Sequence, residues 1–365
     1  MNRWISLTAA CALAACINDV PDAACGADDC QAETSLAVSD TGCDTAFDYV
    51  STPELGPNAP VVELALDEND VYFMTHDALY KVARAGGALF ELFTRTPRSG
   101  STLSALWLRD RDVVVYQDAA NVFAVPKGGG RAVRLPALER MRDGTFAARD
   151  AHGATGWNTV AGEDGRAYRE LWTLDVELMQ VSVLGRVPAP AGDDQGAFGA
   201  GHIFWTDDPS QVTPDTRLYS MAIEAGAVPT PVPVLPERPR SLRLFGLASE
   251  QLYVLGSEAG AAEQLLRLPM AGGELEVLGD LGEQTEHSRA LRLAAAQTGV
   301  VLSQHSLEAD RSVVRYWIPD GVAHAQRLPC LPAHEDPAFA VDGDELYSAV
   351  RNPPGRAAIV RRTLR

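Results

Sequence analysis

Three short groups of histidine and aspartate have side chains that could bind a cation or a cationic ligand. They are His76 with Asp77, Asp207 with Asp208, and His305. Imidazole nitrogens and carboxylate oxygens are ordinary metal ligands, and carboxylates attract positive groups. Both residue types are also common in solvated turns, which is the favoured interpretation here. We therefore predict no metal ion and no cofactor.

The sequence carries none of the short motifs that mark common catalytic sites. It has no Gly-x-Ser-x-Gly elbow, no His-Glu-x-x-His, no phosphate-binding loop and no Cys-x-x-Cys. Segments 67–70 and 342–345 are rich in Asp but lack the spacing of a calcium loop, so we predict hairpin turns there. No catalytic residue is predicted.

Composition and charge narrow the classes of protein. The chain has 365 residues, of which 46% are hydrophobic, enough to build a core. It has 31 Lys and Arg against 49 Asp and Glu, a formal net charge of −18, which disfavours nucleic acid as a partner. After the amino terminus no apolar run approaches the roughly 18 residues that a membrane-spanning helix needs.

The first sixteen residues have the organisation of an export signal. Arg3 precedes an uncharged stretch, residues 4–15, that is too short to span a bilayer. The stretch ends in Leu13-Ala14-Ala15-Cys16, which resembles the lipobox of bacterial lipoproteins. The resemblance implies a signal peptide over residues 1–15 and a lipidated Cys16. A plain secretory signal is the alternative, and Cys11 is the weaker lipidation candidate because its apolar stretch is shorter.

The same resemblance implies a location. Acyl chains on Cys16 would gain about 0.8 kcal/mol per buried methylene and hold the protein on a membrane. Residue 17 is Ile, and by analogy with enteric bacteria the absence of Asp there favours the outer membrane. We therefore expect a lipid-anchored protein of the bacterial cell envelope, with the membrane as one partner.

Four further cysteines are Cys25, Cys30, Cys43 and Cys330. An exported protein meets oxidising conditions, so an even number predicts two disulfides, with three possible connectivities. Cys25 and Cys30 are near enough to pair locally, which leaves Cys43 with Cys330; a metal site is the rival interpretation. Residues 16–44 are rich in Asp, Ala, Ser, Thr and Gly and predict a flexible acidic tether.

From about residue 61 the chain repeats itself loosely every 43 to 50 residues. The clearest column is an apolar or aromatic residue, then an apolar residue two positions on, then a Gly-rich turn. Its leading residues are Tyr80, Phe123, Trp172, Tyr219, Leu266 and Tyr316. Each copy also has further apolar runs of about 4 to 8 residues, rich in β-branched and aromatic side chains. Four short strands per repeat predict the blade of an all-β propeller.

The copies begin near residues 61, 103, 146, 197, 241, 288 and 338, which predicts seven blades over residues 45–365. Six blades is the alternative, because the third copy has a degraded motif. The seventh copy has three strands, and residues 34–38 or 46–50 could supply a fourth. If residues 34–38 do so, Cys43 follows the closing strand and could face Cys330.

Two copies resemble a known group of repeats. Val71-Tyr72-Phe73 to Gly87, and Val114-Val115-Tyr116 to Gly130, are similar to the blades of bacterial lipoproteins with TolB-like or related β-propeller repeats. The resemblance implies the fold over most of the chain and brings no catalytic residue with it.

Propellers usually act at the end of the channel where the innermost strands begin, and the three His and Asp groups are predicted near that end. Residues predicted on the innermost strands are Glu63, Ser104, Arg149, Arg243 and Arg292. One carboxylate among several arginines does not make a calcium cage. We predict a binding or protein-interaction scaffold for an envelope protein or small molecule. The alternatives are a lyase or hydrolase at the channel mouth, or a structural envelope component.

Overall fold

A computed structural model describes most of the chain after residue 47. The described residues are 48–51, 60–95, 101–141, 145–149, 153–165, 167–188, 197–206, 217–224, 227–235, 241–257, 264–280, 289–306, 313–322, 324–328, 335–352 and 356–364. The chain divides into two units, residues 1–46 and residues 47–365. All the described residues belong to the second unit.

Apolar segments bounded by Gly, Asp and Asn form short strands throughout this unit. The first, β1 (Asp48–Ser51), precedes the repeats. Blade 1 contains β2 (Val61–Leu66), β3 (Asp70–Thr75), β4 (Ala78–Ala83) and β5 (Phe90–Thr94). Blade 2 contains β6 (Ala105–Leu108), β7 (Asp112–Asp118), β8 (Asn121–Pro126) and β9 (Val133–Arg134). Blade 3 contains β10 (Thr145–Arg149), β11 (Gly153–Ala161), β12 (Ala167–Asp175) and β13 (Gln180–Pro188).

The second half of the chain continues the same order. Blade 4 contains β14 (Ala197–Gly199), β15 (His202–Thr206), β16 (Leu218–Ala222) and β17 (Thr230–Val232). Blade 5 contains β19 (Ser241–Ala248), β20 (Gln251–Ser257), β21 (Gln264–Pro269) and β23 (Glu276–Asp280). Blade 6 contains β24 (Arg289–Ala295), β25 (Gly299–Ser306), β26 (Val313–Pro319) and β27 (Gln326–Arg327). Blade 7 contains β28 (Glu335–Asp342), β29 (Glu345–Asn352) and β30 (Arg356–Thr363). A short parallel pair, β18 (Val234–Leu235) and β22 (Gly273–Glu274), links the end of blade 4 to blade 5.

The seven sheets form a ring, so the chain is a seven-bladed β-propeller. The predicted blade number and fold class are confirmed, and the six-blade alternative is wrong. Each blade is antiparallel, and in blades 1 to 6 the strands follow chain order from the channel outwards. Innermost strands of neighbouring blades contact one another, as β28 contacts β2 and β2 contacts β6.

Blade 7 is completed by a strand from the other end of the sequence. β1 pairs with β30, placing Asp48 opposite Arg361 and Tyr49 opposite Val360. Of the two closing segments considered, the one at residues 46–50 is therefore confirmed and the one at residues 34–38 is wrong. The predicted position of Cys43 facing Cys330 required residues 34–38 to form the closing strand. Both cysteines lie outside the described residues, as do Cys16, Cys25 and Cys30, so the disulfides stay predictions.

The core is divided among the junctions between blades. At the junction of blades 7 and 1, for example, Val61, Phe73 and Val82 pack against Tyr347 and Ile359. Each of the other six junctions holds a comparable cluster within the described part of the chain. Since a sheet of short strands cannot bury both of its faces alone, its neighbours on the ring bury them.

Blade 3 has the longest strands of the described sheets despite its degraded sequence motif. Three of its strands have nine residues each. Its Gly-rich turn is replaced by a turn over residues 176–179, in which Asp175 accepts a hydrogen bond from the backbone N–H of Leu178 and Met179 adopts a φ of 50°. The Asp side chain orders the turn, so no glycine is needed and the sequence signal is lost.

Helices contribute little to the described chain. A single turn of 3-10 helix, Glu139–Met141, follows blade 2. No helix in the described ranges has the length and apolar composition to cross a membrane.

Candidate functional site

A cavity of about 880 Å³ lies where the innermost strands of blades 7, 1 and 2 end. Its lining comes from the ends of these strands, from the turns that follow them and from one residue of β24; these residues are 63–69, 106–110, 127, 294, 340 and 341. We call this end of the ring the hairpin rim, because it carries the turns between first and second strands, such as 67–69, and between third and fourth strands, such as 84–89. The cavity has the size of a typical small-molecule pocket.

The predicted rim candidates that the structure describes lie at the opposite end of the ring. His76 and Asp77 form the exposed turn between β3 and β4, where Asp77 pairs with Arg95 and its backbone oxygen accepts the N–H of the same arginine. Asp207 and Asp208 lie outside the described residues. His305 was expected in a loop, which is wrong: it lies on β25 opposite Ala290, and its side chain is not described. The described cavity therefore lies at the other end of the channel from His76 and Asp77, whose role stays a prediction.

Among the described residues, no three His, Cys, Asp or Glu side chains lie together in a way that could hold a metal ion. Of the predicted innermost-strand residues, Glu63 lines the cavity and Ser104 precedes β6. The structure does not describe the side chains of Arg149 and Arg243. A guanidinium nitrogen of Arg292 lies 3.4 Å from the carbonyl oxygen of Val62. Because blade 7 separates blades 6 and 1 on the ring, this contact joins two blades that are not neighbours.

One edge of the cavity is an ion-pair cluster built on a tyrosine. The Tyr72 hydroxyl donates a hydrogen bond to Asp67 Oδ2 over 3.0 Å, and Lys127 Nζ of blade 2 lies 3.0 Å from the same oxygen. The Lys127 ammonium also lies 5.7 Å from the centre of the Tyr72 ring. On strand β4, Lys81 pairs with Asp70 over 3.1 Å. The sequence contains two lysines against 29 arginines, and both belong to this cluster.

The cluster shifts the pKa values of Asp67 and Tyr72 in opposite directions. Burial by itself raises the pKa of the Asp67 carboxyl. The backbone N–H groups of Asp70 and Asn69, with Lys127, outweigh that effect and leave the pKa below the ordinary 3.8. Burial, with the charges of Asp67 and Asp70, raises the pKa of Tyr72 well above its usual range. At neutral pH, Asp67 is therefore ionised and the Tyr72 hydroxyl keeps its proton.

An equivalent cluster occupies the junction between blades 7 and 1. The Tyr347 hydroxyl donates to Glu345 over 2.9 Å, and Arg84 of blade 1 pairs with Asp342 while its guanidinium lies 5.6 Å from the centre of the Tyr347 ring. Burial tends to lower the pKa of Arg84, but the pair with Asp342 outweighs it and raises the pKa above its usual value.

The two clusters share a spacing that was not recognised in the sequence. In each, an aspartate is followed three positions on by a second acid and five positions on by a tyrosine, as in Asp67, Asp70 and Tyr72. The base comes four positions after the leading aromatic of the next blade, as Lys127 follows Phe123. This position is apolar in blade 3, where Val176 is buried. The signal could have been found by comparing that position between copies.

Asparagine at position 67 is expected to lower the free energy of unfolding at neutral pH by about 0.5 to 1 kcal/mol. The effect is small because a quarter of the Asp67 side chain is exposed and solvent screens its ion pair. A lowered folded-state pKa stabilises the protein above the ordinary pKa, and this contribution is lost as the pH falls through the folded value. Urea unfolding should therefore show a difference between wild type and Asp67→Asn that shrinks below about pH 3.8. Glu68→Gln, at the exposed neighbour, is the control. A difference that stays constant with pH would contradict the assignment.

Comparison with known proteins gives matches in structure. No protein family profile and no curated protein matches the sequence. An oligogalacturonate lyase from Vibrio parahaemolyticus superposes with a TM-score of 0.59 at 10% identity, over 85% of this chain and 92% of that one. The β-propeller domain of the Trilobed protease from Pyrococcus furiosus gives 0.52 at 11% identity, over 83% and 95%. What these proteins share with this chain is the fold.

A third neighbour extends well beyond the propeller. A puromycin-hydrolysing peptidase from Mycobacterium tuberculosis gives a TM-score of 0.52 at 14% identity, and the match covers 86% of this chain. This chain spans only 54% of the length of that peptidase. At such identities the likeness shows the architecture alone, and the resemblance to TolB-like lipoproteins gains no support from sequence comparison.

Proposed function

We propose that this chain is a lipid-anchored β-propeller of the bacterial cell envelope that works as a binding scaffold for a partner protein. The observation that carries the proposal is the cavity of about 880 Å³ on the hairpin rim, set in turns that are tied to their neighbours. A concave site on a rigid frame suits recognition.

The turn at residues 342–345 supports the rigidity of the rim. Asp342 pairs with Arg84 of blade 1. On the other side, Asp344 accepts hydrogen bonds from the backbone N–H and the hydroxyl of Thr298 in blade 6, over 3.0 and 2.9 Å. One hairpin of blade 7 thereby connects three blades. A ligand that binds at this rim would meet a surface already ordered, which lowers the entropic cost of association.

The charge states of Asp67, which lines the cavity, and of Tyr72 beside it favour recognition over acid–base chemistry. A general acid or base works best with a pKa near the working pH. Burial and the neighbouring carboxylates of Asp67 and Asp70 raise the pKa of Tyr72. The pKa of Asp67 lies below its ordinary value, so both pKa values are shifted away from neutral pH. The alternative of a lyase or hydrolase stays a prediction, because Asp207, Asp208 and the side chain of His305 lie outside the described residues.

Crosslinking in living cells tests the scaffold. We expect the full-length chain with a carboxy-terminal tag to crosslink to a discrete envelope protein when a photoreactive residue replaces Asn69 on the cavity lip. The same residue at Asp164, on the opposite rim, should not capture that protein. No discrete product from the Asn69 position, in cells where the tagged chain is folded and abundant, would overturn the proposal.

Lipid attachment is tested at the lipobox. Cys16→Ala is expected to abolish incorporation of radiolabelled palmitate and to release the protein from the membrane fraction, because the thiol is the acceptor of the lipid. Cys11→Ala should keep full labelling and serves as the matched control. Unchanged labelling of Cys16→Ala would refute the anchor.

A further inference from the structure

The cavity combines an apolar wall with a charged lip. Leu64, Leu106 and Trp107 line it as part of the buried core, while Leu66 and Leu108 are half-buried and present aliphatic surface to it. Such a wall accepts an apolar side chain, or the aliphatic part of a long one, with release of water.

The lip carries more negative than positive charge. Its carboxylates are those of Glu63, Asp67, Glu68 and Asp110, and its cations are those of Arg109 and Lys127. Both cations already have acidic partners: Lys127 pairs with Asp67 over 3.0 Å and Arg109 pairs with Glu177 over 3.4 Å. Glu68 is exposed at the tip of the turn between β2 and β3.

We propose that this cavity binds a basic segment of a partner protein in which arginine or lysine alternates with apolar residues. This inference rests on the scaffold function proposed above and names the chemistry of the partner. The apolar residues would pack on Leu66 and Leu108, and a cationic head would meet Glu68. The net charge of −18 favours encounter with a basic partner and opposes an acidic one.

Peptide binding measured by fluorescence anisotropy tests the proposal on the full chain. The probe is a short fluorescein-labelled peptide alternating leucine and arginine. We expect saturable binding that weakens with added salt. A peptide alternating leucine and glutamate removes the charge match, and one alternating serine and arginine removes the apolar match. Each should bind about 10-fold more weakly or not at all.

Charge reversal on the protein locates the binding site. Glu68→Lys should weaken binding of the leucine–arginine peptide by about 5-fold or more, since it replaces attraction by repulsion at the lip. Glu163→Lys makes the same change at an exposed turn of blade 3 on the opposite rim and should leave binding unchanged. Equal weakening by both variants would show attraction to the acidic surface in general and overturn the proposal. Absence of binding, or equal binding of the three peptides, would overturn it as well.

The results separate this inference from the scaffold function. An envelope protein that crosslinks at Asn69 to Glu68→Lys as efficiently as to the wild type would keep the scaffold and overturn the basic-segment inference. Peptide binding that depends on Glu68, without any crosslinked protein in cells, would support the preference of the cavity for basic and apolar side chains. It would contradict the proposal that the chain is a scaffold for an envelope protein.

Discussion

Alanine in place of Phe73 is expected to lower the free energy of unfolding by about 3 to 5 kcal/mol. Phe73 is completely buried at the junction of blades 7 and 1, and its ring stacks on Tyr80 with centroids 5.3 Å apart. Its removal leaves a cavity between two sheets that β1 and the ring hold in place, so collapse around the gap is restricted. Urea unfolding followed by tryptophan fluorescence measures the loss.

Phe90 provides the matched control for this loss. It lies on the outer strand of the same blade and is 56% exposed, so Phe90→Ala should change the free energy of unfolding by no more than about 0.5 kcal/mol. Similar losses for the two variants would contradict the placement of Phe73 in a junction core.

Aspartate in place of Val50 is expected to cost about 3 to 5 kcal/mol and to detach the closing strand. Val50 is 5% exposed and packs against Val61 and Ile359 in the core of the junction. A carboxylate there either remains buried without a partner or pulls β1 into solvent. Detachment would free the edge of β30, so hydrogen exchange at the backbone amides of β30 should rise along with the loss of stability.

Tyr49→Asp tests the same substitution one residue earlier. Tyr49 is 61% exposed, because alternate side chains of a strand point to opposite faces. This variant should keep both the stability and the slow exchange of β30. Equal effects at positions 49 and 50 would show that the orientation of the closing strand is wrong.

The periodicity of the sequence was sufficient to predict the propeller and its blades. The innermost strands begin at residues 61, 105, 145, 197, 241, 289 and 335, close to the predicted starts of the copies. This agreement follows from local rules: each strand pairs with the next along the chain, and apolar runs broken by turn residues mark each strand. The closing strand was harder to predict from the sequence. Its four residues carry no local signal of their partner β30, and Asp48 pairs with a residue 313 positions further along the chain.

The candidate site was less predictable because it depends on contacts between blades. Asp67 and Lys127 stand in separate turns of separate copies, and each looks like an ordinary solvated turn residue in the sequence. Only the ring brings them within 3.0 Å above the same tyrosine. The candidates at the opposite rim were predicted by analogy with other propellers and from conspicuous His and Asp pairs, whereas the cavity lip is made largely of charged turn residues that follow the strand ends.

The closure of blade 7 by β1 also has a consequence for biosynthesis. During synthesis β1 emerges from the ribosome long before β30, because Asp48 and Arg361 are 313 positions apart in the chain. Six blades can assemble during this interval. The apolar faces of blades 1 and 6 that blade 7 covers stay exposed to solvent until the final repeat emerges. The nascent polypeptide is therefore most vulnerable to aggregation, and most dependent on chaperones, just before β29 and β30 are synthesised.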